Sequence, residues 1–276
     1  LHAAVRAQPN VSLLFDSRID AITPAEVGYR LSLADGQTLE CQLLVGADGG
    51  ASTVRDACGI RSVSWGYHQR ALVSTIETER PHGMTARQVF TAIGPLGLLP
   101  LPGTQQNLCS IVWSTAQTDL LQSLSDEALC ARLTQETEGV LGQILAIDER
   151  ASFPLQAQHA VRYVRPHLAL AGDAAHTIHP LAGQGAGLGL ADAEALSMVL
   201  NECRGLNLAP GDLSVLRRYE RMRRPHNIAT AVAMEAFKRL YDPDHPAINW
   251  IRNTGTRWVD GNPLIKRVVM RLAAGR

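Results

Sequence analysis

The pattern of apolar and polar positions changes period several times within the first fifty residues. LHAAVRAQ at the start reads as helix. Residues 11–47 read as strands, beginning with the short apolar run VSLLF. YRLSL and TLECQL then alternate on either side of Asp35-Gly36, and an Asp-Gly pair between alternating segments predicts a hairpin. LLVGA (43–47) has no polar interruption, as a strand covered on both faces should. It ends at Asp48-Gly49-Gly50, after which Ser52 can cap a short helix, STVRDAC.

Further along, RALVSTIETE, ARQVF and NLCSIVWST alternate between Pro/Gly turns and predict an antiparallel sheet over 65–115. Residues 119–147 read as helical, with Ser125 as cap. LALAG (168–172) predicts a second buried strand, and 185–203 a helix with a small-residue apolar face. The chain from 213 onward is helical in pattern, and Pro225 is expected to kink or break it. Asn262-Pro263 opens a last helix. Buried strands with glycine-rich ends thus occur twice, separated by an antiparallel segment. The predicted fold class is α/β with mixed α+β character: an incomplete Rossmann-like FAD/NAD(P)-binding domain (1–62 with 150–203), an inserted antiparallel substrate domain (63–149) and C-terminal helices (204–276).

Composition narrows the function classes. A chain of 276 residues with 46% hydrophobic content can bury one large or two ordinary cores. Twenty-six basic residues balance 26 acidic ones, so no net field draws the chain to nucleic acid. Cys41, Cys58, Cys109, Cys130 and Cys203 form no C-x-x-C pair, which favours buried thiols in a reducing, cytoplasmic setting over a disulfide frame or a zinc site. The most apolar run, 92–103, is broken by glycines and prolines, and no signal peptide is evident. Residues 262–276 place Leu264, Ile265, Val268, Val269 and Leu272 on one side, with Lys266, Arg267 and Arg271 elsewhere. Such a helix either packs on a core or lies against a partner or the inner membrane surface. The chain starts at Leu1, within a helical pattern and without Met, so an N-terminally incomplete chain is expected.

The chemistry concentrates at two strand ends. A carboxylate there, such as Asp173 after Gly172, can accept hydrogen bonds from sugar or ribityl hydroxyls. The glycines of HPLAGQGAGLG admit close backbone approach, and the start of the next helix favours negative charge. The bland alternative is a tight turn with glycines for packing. Asp48-Gly49 is a second such corner, with Arg55 one turn inside the following helix, and the plain alternative there is an aspartate cap. Asp173, His176 and His179 are spaced as a metal cluster could be, but no further acid or histidine follows in the loop, so no metal is expected.

Together, LVGADGGASTVR and AGDAAHTIHPLAGQG resemble the paired signature of the FAD-dependent aromatic hydroxylases related to para-hydroxybenzoate hydroxylase. ALVSTIETERPH, ARQVF, and LPLPG with NLCSIVWS make the ubiquinone-biosynthesis 2-polyprenylphenol hydroxylases the closest group, over roughly residues 40–200. The resemblance implies FAD, NAD(P)H as reductant, O2 capture as a flavin C4a-hydroperoxide and hydroxylation of a polyprenylphenol ring. It implies that Gly172 and Asp173 meet the ribityl chain, that Pro180, Gly183, Gln184, Gly185, Ala186 and Gly187 line the isoalloxazine, and that Asp48, Gly49 and Arg55 form the second cofactor corner. Phe90, Leu98, Pro100 and His179 are the expected substrate-pocket residues. Gly187 departs from the family's usual asparagine. The family's opening G-x-G-x-x-G unit has no match, so weak FAD binding or inactivity of the 276-residue chain is expected. The other readings are an FAD hydroxylase of a different aromatic compound and a non-catalytic assembly partner. Homo-oligomerisation or membership of a ubiquinone-biosynthesis complex are the further partner expectations.

Overall fold

The computed structural model describes residues 2–178 and 184–240, and the side chains of Gln184 and 237–240 are outside that description. In chain order, α1 (His2–Arg6) precedes β1 (Ile19–Pro24), β2 (Tyr29–Leu33), β3 (Thr38–Cys41) and β4 (Leu44–Gly46). Then come α2 (Thr53–Ala57), the long β5 (Ser62–Thr78), β6 (Arg87–Thr91), β7 (Gly94–Pro100) and β8 (Leu108–Thr115). Two helices, α3 (Thr118–Ser123) and α4 (Asp126–Glu136), lead to β9 (Ile144–Ile147) and β10 (Ala151–Ala160). The chain continues through β11 (Val164–Arg165), β12 (Leu168–Leu170), a 3-10 turn at Gly172–Ala174 and β13 (His176–Thr177). It ends, among the described residues, with α5 (Gln184–Gly205) and α6 (Leu213–Leu240).

The mixed α/β class holds. The described residues within 1–64 and 158–230 form one compact unit, and Trp65–Ala157 forms the second together with the described residues from Ala231. The stretch 204–230, expected among separate C-terminal helices, therefore belongs to the first unit. The reason is physical: Val215, Leu216 and Tyr219 of α6 are buried in its core with Leu168, Leu170 and Val199.

In the first unit, the Asp35-Gly36 hairpin forms as the pattern predicts. β1, β2 and β3 make an antiparallel sheet, and Gly36 takes a left-handed φ of 87°. β4 pairs in parallel with β12, and β12 pairs antiparallel with β11. The run 11–15 differs from expectation. It is irregular, and Phe15 is 56% exposed. An apolar run becomes a strand only when a neighbour supplies hydrogen bonds, and none of the described pairings includes it. Phe15 instead meets His2 and Arg6 of α1, with the rings edge to face at 5.4 Å.

The second unit is built on β5, β8, β7 and β6 in that order, antiparallel throughout, with β9 also pairing β5. Its core gathers Leu72, Ile76, Leu96, Leu98, Ile111 and Trp113 against Leu129 and Leu133 of α4. The expected helix over 119–147 is in fact two helices and a strand. Gly139 and Gly142 take positive φ after α4 and end it, and the apolar ILAI pairs with the far end of β5. The Ser125 cap forms, its Oγ accepting from Ala128 N at 3.2 Å. Pro225 does not break α6, which runs through it. The Asn262-Pro263 start and the basic helix 262–276 lie outside the described residues.

Two outcomes test this packing. Gly28 has φ 89°, and a Cβ there would stand 1.9 Å from the Cys41 carbonyl oxygen; Gly28→Ala is expected to cost on the order of 2 kcal/mol or more in urea denaturation. Leu72, fully buried in the second core, is expected to lose about 2–5 kcal/mol on truncation to alanine.

Candidate functional site

Both glycine–aspartate corners lie at carboxyl ends of the parallel strands, one after β4 and one after β12. In the first, Gly49 has φ 86°, a value that favours glycine. Asp48 accepts from Ser52 Oγ, from Thr53 Oγ1 at 3.0 Å and from Val54 N at 3.1 Å, so its carboxylate caps α2. Burial opposes its ionisation, but these hydrogen bonds outweigh that and hold the Asp48 carboxyl below the usual aspartate range. Ser52 Oγ in turn caps the helix through Arg55 N at 3.0 Å.

Arg55 ties the two corners together. Its guanidinium is buried and donates to Gly50 O at 2.9 Å and to Ala174 O at 3.3 Å, and to Asp56 beside it. The Gln158 amide, oriented to satisfy its neighbours, turns its oxygen to Arg55 and to Ser62, and donates to Gly50 O at 3.1 Å. The described contacts of Arg55 are thus all within the protein.

At the second corner Gly172 has φ 60° and faces Gly189 of α5, where an added Cβ would stand 3.4 Å from the Gly172 Cα. The left-handed turn exposes Asp173, whose carboxylate bonds to none of the described residues. Ala186 and Gly187 are exposed, and no described atom lies within 4 Å of where a Cβ at Gly185 or Gly187 would stand. His179, Pro180 and Gly183 lie outside the described residues, as does the Gln184 side chain. A carboxylate at a strand end with no partner among the described residues, and glycine backbone at the start of the next helix, fits a ligand carrying hydroxyls and a flat ring.

Beneath this corner is a polar cluster that the sequence reading did not single out. Asp192 of α5 is 0% exposed and accepts four hydrogen bonds: from Gly172 N at 3.0 Å, His176 Nε2 at 2.6 Å, Arg223 Nε at 2.7 Å and Asn227 Nδ2 at 3.1 Å. Arg223 also donates to Asn227 Oδ1 at 3.0 Å, and Asn227 reaches the Tyr163 hydroxyl at 3.4 Å. Tyr163 stacks on His176, with ring centroids 5.8 Å apart, and bonds His159 Nε2 at 3.0 Å. Burial pushes the Asp192 carboxyl up, but the hydrogen bonds from His176 and Arg223 prevail and hold it below the usual range. Burial also raises the Tyr163 hydroxyl and lowers His159. A signal was present in the sequence: Leu188, Asp192, Ala195, Val199 and Cys203 form one buried stripe of α5, and Tyr219, Arg223 and Asn227 one of α6. A charge at a core position of each helix predicts that the two meet.

The expected substrate-pocket residues do not share one surface. Phe90 pairs with Pro95 and Leu98 with Arg87 across β6 and β7, so Phe90 faces one side of the sheet and Leu98 and Pro100 the other. Leu98 is 2% exposed and packs the second core. Among the described residues no group of three or more His, Cys, Asp or Glu could hold a metal ion. The cysteines are free, and no described helix is long and apolar enough to cross a membrane.

Comparison with known proteins decides the lineage. The family described as FAD binding domain matches residues 4–236. A ubiquinone hydroxylase of Rhodospirillum rubrum is 39% identical over 270 residues, covering 97% of this chain and 62% of that protein. The 3-demethoxyubiquinol 3-hydroxylase of Escherichia coli is 35% identical, over 100% of this chain and 70% of that protein. The chain belongs to the FAD-dependent aromatic hydroxylase family. It spans about two thirds of the length of these relatives. Among solved structures, a p-nitrophenol 4-monooxygenase from Pseudomonas putida superposes with TM-score 0.78 at 20% identity, over 98% of this chain and 69% of that one. A probable FAD-dependent monooxygenase from Pseudomonas aeruginosa gives 0.75 at 25% identity, over 88% and 68%.

Asp192→Ala, which strands Arg223 and His176, is expected to cost about 3–5 kcal/mol in chemical denaturation. Because the folded carboxyl is held below its unfolded value, its contribution is present above the ordinary aspartate pKa of about 4 and is lost as pH falls through the folded one. Denaturation midpoints followed downward from pH 5 should fall more steeply for the wild type than for Asp192→Asn.

Proposed function

We propose that the chain is the flavin-binding and ring-positioning part of a monooxygenase that hydroxylates the aromatic ring of a polyprenylphenol in ubiquinone biosynthesis. The observation that carries this is the exposed Asp173 carboxylate at the end of β12, with Gly185 and Gly187 in the first turn of the next helix and no described atom within 4 Å of where their Cβ atoms would stand, in a chain 35–39% identical to two ubiquinone-pathway hydroxylases. FAD, when bound, would pass two electrons from NAD(P)H to O2 and make one oxygen atom electrophilic toward a phenol, the other leaving as water.

The chain's own residues have the simpler tasks of holding and orienting. Asp173 accepts hydrogen bonds from the ribityl hydroxyls, where a carboxylate gives charge-assisted bonds. Gly185 and Gly187 let the flat ring lie against backbone, and the N–H groups at the start of α5 favour negative charge on the reduced ring. Asp48 and Gly49 form the second corner, with Arg55 behind them setting its distance from the first. In the second unit, Phe90, on the face of the sheet opposite Leu98, is the aromatic residue assigned to contact with the substrate ring.

Titration of the purified chain with FAD, followed by flavin fluorescence, tests the reading. Weak but saturable binding, weakened at least a further tenfold in Asp173→Ala, is expected. Binding of unchanged strength in that variant, or no saturable binding by the wild-type chain, overturns the assignment for these residues.

A further inference from the structure

The cluster around Asp192 contains an apparent waste. His176 is 1% exposed, and its Nδ1 has no hydrogen-bond partner among the described residues. An unsatisfied buried nitrogen is destabilising, and an apolar side chain would fill the same space without that penalty. What the imidazole provides is its other nitrogen. A carboxylate only accepts, so Nε2 carries the proton and donates to Asp192 Oδ2 at 2.6 Å. The same oxygen takes Gly172 N at 3.0 Å. One buried oxygen therefore grips the chain on both sides of Asp173, at the residue before it and three residues after it.

The remaining oxygen, Oδ1, is held by Arg223 and Asn227 of α6 at 2.7 and 3.1 Å. The carboxylate cannot rotate without breaking these bonds. Gly172 sits at φ 60°, a conformation whose energy does not by itself favour the observed turn over its neighbours. Inside the turn, Ala175 N donates to Gly172 O at 2.9 Å and Thr177 Oγ1 to Asp173 O at 3.3 Å, and the bonds to Asp192 anchor that turn from outside.

We propose that Asp192 is the positioning residue of the cofactor corner: by taking the Gly172 N–H and the His176 ring on one oxygen, it fixes the direction in which Asp173 leaves the chain. This rests on the reading of Asp173 as a ribityl ligand. Asp192 itself touches no ligand and acts through the turn.

The test compares Asp192→Asn with Val199→Ala, a truncation on the same buried stripe of α5 that leaves the carboxylate alone. Three readouts are taken on the whole chain: denaturant midpoint, hydrogen–deuterium exchange over residues 171–176, and FAD affinity by fluorescence. Both variants are expected to lose stability. Only Asp192→Asn should speed exchange over 171–176, by at least tenfold relative to the strand before it, and weaken FAD binding at least tenfold. His176→Gln, which keeps a donor near the Nε2 position, should retain both properties, and His176→Leu should lose both. Exchange and affinity that track stability alike in Asp192→Asn and Val199→Ala, or an unchanged turn in Asp192→Asn, overturn the proposal. If Asp192→Asn does not fold, the two His176 variants decide by the same criteria. If FAD uptake is absent, or indifferent to Asp173→Ala, the ligand reading of Asp173 fails separately, and the exchange over 171–176 alone upholds or overturns the positioning role.

Discussion

A buried carboxylate must be fully paired or the unit around it cannot stay closed. Asp192 meets that demand with four donors drawn from the Gly172 turn, β13 and α6. Each donor is itself fixed by the bond, so the constraint runs in both directions. α5 has to lie where its apolar stripe and the buried Asp192 face inward together, and α6 has to present Arg223 and Asn227 in register with Tyr219. The left-handed turn bearing Asp173 follows from that arrangement. Polar groups in a core are weak evidence for stability but strong evidence for a specified geometry, and here the geometry specified is that of the exposed aspartate.

Arg55 does for the distance between the corners what Asp192 does for the direction of one of them. Its guanidinium spans from Gly50 O to Ala174 O, with Gln158 beside it. Arginine suits the task because its planar, permanently charged fork can serve several carbonyls at once. Asp48, by contrast, spends its carboxylate on Ser52, Thr53 and the N–H of Val54. The two aspartates occupy similar strand ends in different states, one engaged in capping and one whose carboxylate meets no partner among the described residues. The ligand chemistry is assigned to the second for that reason.

Much of this was legible in the sequence because local rules sufficed. The Asp35-Gly36 hairpin and the Ser52 and Ser125 caps depend on neighbours within a few residues, and the strands LLVGA and LALAG were marked by their uninterrupted apolar runs although each finds its partner in the other, with Val45 left 41% exposed. The failures have one cause, which is that a residue's partner lay elsewhere in the chain. VSLLF has strand composition but no described neighbour strand. ILAI reads as the end of a helix until β5 offers it an edge. Pro225 removes one hydrogen bond, a loss that tertiary packing of Val215, Leu216 and Tyr219 absorbs. Phe90, Leu98 and Pro100 are near in sequence, but only the register of β6 against β7 separates their faces. At the site, the glycine–aspartate corners were readable and the support beneath them was not read, although Asp192, Arg223 and Asn227 interrupt otherwise apolar stripes.

The bond from Arg55 to Ala174 joins residues 119 positions apart. Closing a loop of that length in an unstructured chain carries an entropic cost that grows with the logarithm of loop length. The second unit has its own core and occupies most of the intervening chain. Once it folds, the two ends that enter and leave it are no longer a flexible loop, and the parallel pairing of β4 with β12 becomes a nearly local event. Local-contact physics therefore favours an order of assembly in which the antiparallel sheet of the second unit forms early and the pairing of β4 with β12 follows.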